Sequence, residues 1–354
     1  HQSLVATKTA RIVKAAEGKA VSDFGARRAH NMDAAVYGAR ASYIGGAAGT
    51  ATVLAGQMFG IPVSGTMAHS WVMYYKDEYE AFKHYAENYP DNTVLLVDTY
   101  DTIKSGIPNA IRVAREVLEP MGKRLKGIRI DSGDLAYQSI KVRKMLDDAG
   151  LTDCKIIVSN SLDEHTISSL NMQKARIDGY GVGERLITGA SSDYSEDSIS
   201  LLGAVYKIAA VEENGGFAPR IKVSGSVEKI TNPGLKKVYR VYDQNGKAKA
   251  DLIAKADETI DMSQEFRFVD PDMPWRNLKF THCTVRPLQE KIFENGRLVY
   301  KLPTLNEIRA YVKKQLDEEI WEEEQRFVNP HKHYMDMTPD YYDMKMSLLN
   351  DSRA

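Results

Sequence analysis

From about residue 20 to 210 the chain alternates short apolar runs with longer stretches of helical spacing. The runs are AVSDF (20–24), YIGGA (43–47), IPVSG (61–65), TVLLVD (93–98), GIRID (127–131), KIIVS (155–159), GYGVG (179–183) and GAVYKI (203–208). They are near-continuous rather than alternating, the pattern of strands buried on both faces. Between them, IPNAIRVAREVLEPMGK and GDLAYQSIKVRKMLDDAG place apolar residues at helical spacing, and the second stops at Gly150. Buried strands alternating with helices predict a parallel sheet covered by helices. About eight such units fit a closed or irregular β/α barrel, and a doubly wound open sheet gives a similar pattern.

Past residue 212 the pattern changes. ENGGFAPR, TNPG and DQNGK are turn signals set between alternating runs, IKVSGSVEKI and KKVYRVYD, which predicts antiparallel β structure. From residue 304, TLNEIRAYVKKQLDEEIWEEEQRF predicts one long amphipathic helix whose acidic run, 317–324, is a solvated face. Three regions are therefore expected. They are a β/α-barrel catalytic domain over 1–212, led in by a helix, then a β-rich region over 213–303 and a helical tail over 304–354.

Composition adds mainly exclusions. The 354 residues are 43% hydrophobic and 27% charged with net charge −1, so there is no basic field to recruit nucleic acid or an anionic membrane. No apolar run approaches the ~20 residues of a membrane span. Cys154 and Cys283 are the two cysteines, without a CxxC pair. That speaks against a disulfide framework or a cysteine zinc site and for a reducing compartment, hence a cytoplasmic location. The opening HQSLVATKTARIVKAAEGK reads as the middle of an amphipathic helix, and the expectation is that a natural N-terminal region precedes it.

In β/α folds chemistry collects where the strands end. Here the runs exit into DFGARR, GTMAH, DTYDT, RIDSGD, SNS and GVGER, almost all small, charged or hydroxyl residues, which points to one composite active site. Arg27, Arg28, Arg129 and Arg185 offer guanidinium forks for carboxylate or phosphate. Ser159, Asn160, Gly181 and Gly183 offer N–H groups for a phosphate nest. Asp131 and Asp134 are carboxylates for ribose hydroxyls or Mg²⁺. Each has a bland alternative: surface ion pairs for the arginines, turns for the glycines, a helix N-cap for Asp134. His69, taken alone, is better read as a satisfied structural histidine. Asp98 on the next run is expected beside it, holding one imidazole nitrogen so that the other is a nucleophile.

DFGARRAH, YIGGAAGTATVLAG, IPVSGTMAHSWV, VDTYDT, GIRIDSGDLA, SNSLDE and GVGERLIT…LGAVYKI, in that order, resemble the nicotinate phosphoribosyltransferase family. The resemblance implies a type II phosphoribosyltransferase fold, an irregular α/β barrel with a second domain built from both chain ends. It implies formation of nicotinate mononucleotide and pyrophosphate from nicotinate and phosphoribosyl pyrophosphate, coupled to ATP hydrolysis. His69 would be transiently phosphorylated, and Mg²⁺ would enter on the phosphates of ATP and phosphoribosyl pyrophosphate rather than on a protein cluster.

By matched position, Phe24 would stack on the substrate ring, Arg27 would contact phosphate, and Arg129 and Asp131 would sit beside ring and ribose. Ser159, Asn160, Gly181 and Gly183 would hold the 5′-phosphate. Ala51 stands where nicotinamide-using cousins carry an aspartate, which favours the acid substrate over the amide. A homodimer is implied, with a second stacking aromatic from the partner's N-terminal region. Glu184 departs from the threonine common in relatives, and the segment 189–207 is long and polar and expected to be mobile. The alternatives are a nicotinamide or quinolinate phosphoribosyltransferase, or an unrelated β/α-barrel enzyme acting on a sugar phosphate.

Overall fold

A computed structural model describes residues 1–190, 202–226 and 229–352. Most of the polar segment 189–207, residues 191–201, lies outside them. The chain forms two compact units, His1–Leu202 with Leu305–Val312, and Gly203–Thr304 with Lys313–Ala354.

The first unit runs α1 (Gln2–Ala15), β1 (Ala20–Asp23), α2 (Met32–Ile44), β2 (Gly49–Thr50), α3 (Val53–Phe59), α4 (His69–Tyr74), α5 (Glu78–Asn88), β3 (Val94–Leu96), α6 (Ile107–Val113), β4 (Gly127–Ile130), α7 (Leu135–Asp148), β5 (Lys155–Val158), α8 (Glu164–Met172), β6 (Gly179–Val182) and α9 (Glu184–Thr188). The strands form one sheet in the order β2-β1-β6-β5-β4-β3, with every neighbouring pair parallel. It is an irregular half-barrel, in keeping with the expected fold class. Leu95, Ile128, Ile130, Ile156, Val158 and Val182 are almost fully buried along it, as strands covered on both faces require.

Four α-helices of the first unit start on side-chain caps. Asn31, Asp77, Asp134 and Asp163 accept N–H bonds from Ala34, Glu80, Tyr137 and Thr166, each worth about 1 kcal/mol. Asp134 is thus an N-cap. Gly106 lets the turn before α6 press on the end of β3, since a Cβ there would lie 1.8 Å from the Val97 carbonyl oxygen.

Three expected strands are absent. YIGGA finishes α2, whose Val36 and Ala39 are buried, and the strand forms only afterwards, at Gly49–Thr50. IPVSG makes a single bridge, Val63 to Thr50, because Pro62 has no N–H for a ladder. GAVYKI is irregular, with Val205, Tyr206 and Ile208 exposed. The sheet therefore has six strands among the described residues, not eight.

The second unit contains β7 (Ala210–Glu213), β8 (Gly216–Pro219), β9 (Lys236–Tyr242), β10 (Ala248–Lys255), β11 (Phe266–Val269), β12 (Asn277–Phe280), β13 (Thr284–Pro287), β14 (Phe293–Glu294) and β15 (Arg297–Leu298). After α10 (Leu305–Lys314), whose first residues belong to the first unit, come β16 (Tyr334–Met337) and α11 (Pro339–Asp351). Its main sheet has the order β12-β11-β16-β10-β9-β13. The expected antiparallel pairing holds except between β10 and β16, which are parallel. IKVSGSVEKI makes no strand in its described residues.

The tail is not one helix. α10 passes into a π-turn at Gln315–Glu319 and stops there. Glu319 is buried, accepting from the Tyr242 hydroxyl at 2.7 Å and Arg286 at 3.2 Å. One acid of the supposed solvated face is therefore interior, while Asp317, Glu318, Glu322 and Glu323 are exposed.

Candidate active site

Parallel pairing brings all six strand ends to one edge. β1 delivers Phe24 through Arg28, β2 delivers Ala51, and β3 delivers Asp98 and Thr99. Asp131 and Ser132 follow β4, Ser159 and Asn160 follow β5, and Gly183 follows β6. The bridge at Val63 leads to Thr66 and to His69, the first residue of α4. α4 is itself anchored by Trp71, whose indole N–H donates to the Ala81 carbonyl at 2.9 Å.

A connected polar network occupies the middle of this edge. Arg129 Nε donates to Ser159 Oγ at 2.8 Å, and Nη1 donates to Thr66 Oγ1 at 2.9 Å. Its Nη2 lies 3.1 Å from Asp131 Oδ2. Ser159 Oγ donates to Asp131 Oδ1 at 2.5 Å. His69 Nε2 is 3.6 Å from the same Asp131 Oδ2, and its Nδ1 is 3.1 Å from Thr99 Oγ1. At 3.6 Å the carboxylate is beyond hydrogen-bond distance. It still favours the tautomer with hydrogen on Nε2, and so a lone pair on Nδ1.

Asp98 does not touch His69. Its Oδ2 accepts from the Asp131 N–H at 2.9 Å and the Ser132 hydroxyl at 2.5 Å. It fastens the loop after β4, and the carboxylate facing the histidine is Asp131. The expectation for Asp98 assumed that neighbouring runs place neighbouring side chains together. IPVSG is only a bridged segment, so that register was not available.

Phe24 lies with its ring centroid 5.4 Å from the Arg129 guanidinium carbon. Beneath it is Gly181, where a Cβ would come within 2.4 Å of the ring. Gly181 is laddered to Ser22 within the sheet. It serves as the seat of Phe24. Gly183 caps α9 at the strand end. Asn160 and Ser161 both adopt positive φ, 91° and 51°, a conformation that costs non-glycine residues energy and is frequent at ligand-binding loops. Ser159, by contrast, has its N–H bonded to Ile130 O and its O–H to Asp131, leaving no donor for a phosphate.

Ala51 follows β2, exposed, with its N–H on the Asp23 carbonyl oxygen at 2.8 Å. Asp23 is fully buried, accepting from Gly25 N–H at 2.8 Å and the Thr50 hydroxyl at 2.7 Å. Burial raises its pKa above the usual carboxylate range despite these two bonds. Arg27 and Arg28 are exposed, and Arg28 Nε lies 3.5 Å from Glu184. Arg185 is turned away to the buried Asp163 at 3.0 Å. Sequence reasoning missed Asp23, Thr66, Thr99 and Ser132. All four stand inside quoted motifs, but only their contacts separate them from ordinary turn residues.

Among the described residues no group of three or more His, Cys, Asp and Glu is placed to hold a metal ion. Among the same residues no helix is long and apolar enough to cross a membrane.

Residues 19–257 match the nicotinate phosphoribosyltransferase (NAPRTase) family, and residues 235–345 match the nicotinate phosphoribosyltransferase C-terminal domain. The chain is 47% identical over its whole length to the nicotinate phosphoribosyltransferase of Bacillus subtilis, of which it covers 70%. It is 34% identical to that of Dictyostelium discoideum, with 99% of this chain and 66% of the relative aligned. The crystal structure of the human nicotinic acid phosphoribosyltransferase superposes with a TM-score of 0.80 at 27% identity, covering 100% of this chain and 74% of that one. A nicotinate-nucleotide pyrophosphorylase from Pyrococcus furiosus gives 0.63 at 28% identity over 90% and 70%.

The chain belongs to the nicotinate phosphoribosyltransferase family. It spans roughly two thirds of the length of these curated relatives.

Proposed function

We propose that the chain carries out phosphoribosyl transfer to nicotinate in NAD salvage, with ATP hydrolysed through a phosphohistidine at His69. The observation that carries this reading is the imidazole held between Asp131 and Thr99 beside the Arg129 guanidinium. That is the arrangement of a nucleophile with its orienter. Nδ1, the nitrogen turned away from Asp131, gives up its contact with the Thr99 hydroxyl and attacks the γ-phosphorus of ATP. An N–P bond forms, the bond to the bridging oxygen breaks, and ADP leaves. Water later cleaves the N–P bond and releases phosphate.

In the glycosyl step the pyridine nitrogen bonds to C1 of the ribose while the C1–O bond to pyrophosphate breaks. Positive charge develops at C1, so stabilisation comes from fixed charges rather than proton transfer. Phe24, seated on Gly181, is suited to stack on the pyridine ring. Arg27 and Arg28 at the same edge suit the phosphates, and Asn160 with Gly183 suits the 5′-phosphate. Mg²⁺ supplies charge neutralisation on the bound phosphates. A homodimer in the cytoplasm completes the reading, supported by the family and by cysteines that are both free.

Acid is favoured over amide because Ala51 puts no carboxylate near the ring. The test is product formation from nicotinate, phosphoribosyl pyrophosphate and ATP, compared with nicotinamide. The expected product is nicotinate mononucleotide, and Ala51→Asp should shift preference toward nicotinamide. Unchanged selectivity would remove Ala51 from the account, and turnover of nicotinamide alone by the unaltered chain would overturn the acid reading.

A further inference from the structure

We propose that Ser159 is a positioning residue whose buried hydroxyl couples Arg129 to Asp131 and does not contact a substrate phosphate. The inference deepens the function proposed above and rests on it. A serine hydroxyl has one donor and two acceptor lone pairs. Here the donor is committed to Asp131 Oδ1 at 2.5 Å, and one lone pair takes Arg129 Nε at 2.8 Å. The backbone N–H is committed to Ile130 O at 3.0 Å. Phosphate oxygens need donors, and Ser159, 3% exposed, has none to give. The residues that follow it, Asn160 and Ser161, are the exposed ones with positive φ.

The hydroxyl therefore acts sideways. Asp131 Oδ2 faces both Arg129 Nη2 and His69 Nε2. A carboxylate held only through Oδ2 can rotate about its Cβ–Cγ bond. With Oδ1 pinned by Ser159, and Ser159 pinned by Arg129, the carboxylate plane is fixed and Oδ2 stays turned toward the histidine. Charge-assisted bonds of this kind are short and directional.

The experiment compares Ser159→Ala, Ser159→Thr and Asn160→Ala in the full chain, reading kcat, KM for phosphoribosyl pyrophosphate and the pH profile of kcat. The expected result for Ser159→Ala is a kcat about tenfold lower with an altered pH profile and a KM within about twofold. Ser159→Thr, which keeps the hydroxyl, recovers part of the rate, and Asn160→Ala raises KM instead. A KM for phosphoribosyl pyrophosphate raised tenfold at unchanged kcat in Ser159→Ala would make the residue a phosphate ligand and overturn the proposal. No change in either constant would overturn it as well. If Ser159→Ala does not fold, Ser159→Cys, similar in volume but a weak donor, is read by the same criteria.

A readout free of turnover separates this proposal from the functional one. The His69 ring signals in an NMR spectrum should shift in Ser159→Ala and stay in place in Asn160→Ala, whatever substrate the protein uses.

Discussion

The two units both bury carboxylates in β structure, and they treat them differently. At the edge of the parallel sheet each acid meets donors, although Asp98 does so through Oδ2 alone and its Oδ1 is buried without a partner. Asp23 accepts two hydrogen bonds, Asp98 accepts two, and Asp131 meets Ser159, Arg129 and His69. In the second unit, burial pushes Asp251 upward, but its pairing with His333 and Arg240 wins and holds it at about 2. Asp336, on β16, is fully buried and neither of its oxygens has a hydrogen-bond partner. Burial, with Asp270 nearby, pushes it up to about 6. Strand ends open into loops that supply N–H and O–H groups, whereas a strand interior has spent its donors on the ladder. Charge placed at the edge is preorganised for chemistry; inside the second sheet, Asp251 is offset by its partners, whereas the charge of Asp336 is a burden on folding.

The largest effect that sharpens this contrast is expected at Asp131. Asp131→Asn should lower kcat by about 10²-fold or more, since the orienting charge beside the nucleophile is lost. Asp98→Asn should be milder, because an amide oxygen can still accept from Asp131 N–H and Ser132. Steady-state kinetics of the pair decide the matter. A greater loss in Asp98→Asn would restore the arrangement expected from sequence.

Next comes Asp336→Asn. The folded-state pKa of Asp336 is raised from 3.8 to about 6. Its favourable contribution is therefore complete below pH ~4 and is lost as pH rises through about 6. Above that, ionising the buried acid costs roughly 3 kcal/mol at 1.4 kcal/mol per pKa unit. Thermal unfolding of the asparagine variant should show stabilisation at pH 7.5 that fades by pH 4. Equal effects at both pH values would show that the charge is not the cause. Smaller still, Gly181→Ala should displace the Phe24 ring and raise KM for nicotinate by about tenfold, within the 1–3 kcal/mol typical of overpacking. An unchanged KM would separate Phe24 from ring binding.

Much of the first unit was legible because a buried parallel strand leaves a compact apolar run. TVLLVD, GIRID, KIIVS and GYGVG each became a strand within a residue or two. YIGGA failed because a short apolar run ending a helix looks the same as a strand, and GAVYKI because apolar residues can simply be exposed. The site residues were legible as motif members. Their partners were not, since Asp131 instead of Asp98 faces His69 through register that only tertiary packing sets. Glu319 shows the same limit, an acid in a charged run that turned inward to Tyr242 and Arg286.

The most direct test of the central claim is transfer of label from γ-³²P-ATP to the protein. The account predicts stoichiometric, acid-labile and base-stable label in the wild type and none in His69→Ala, with the variant's fold checked by circular dichroism. Undiminished label in His69→Ala, or no label in a folded wild-type protein that makes nicotinate mononucleotide, would contradict it.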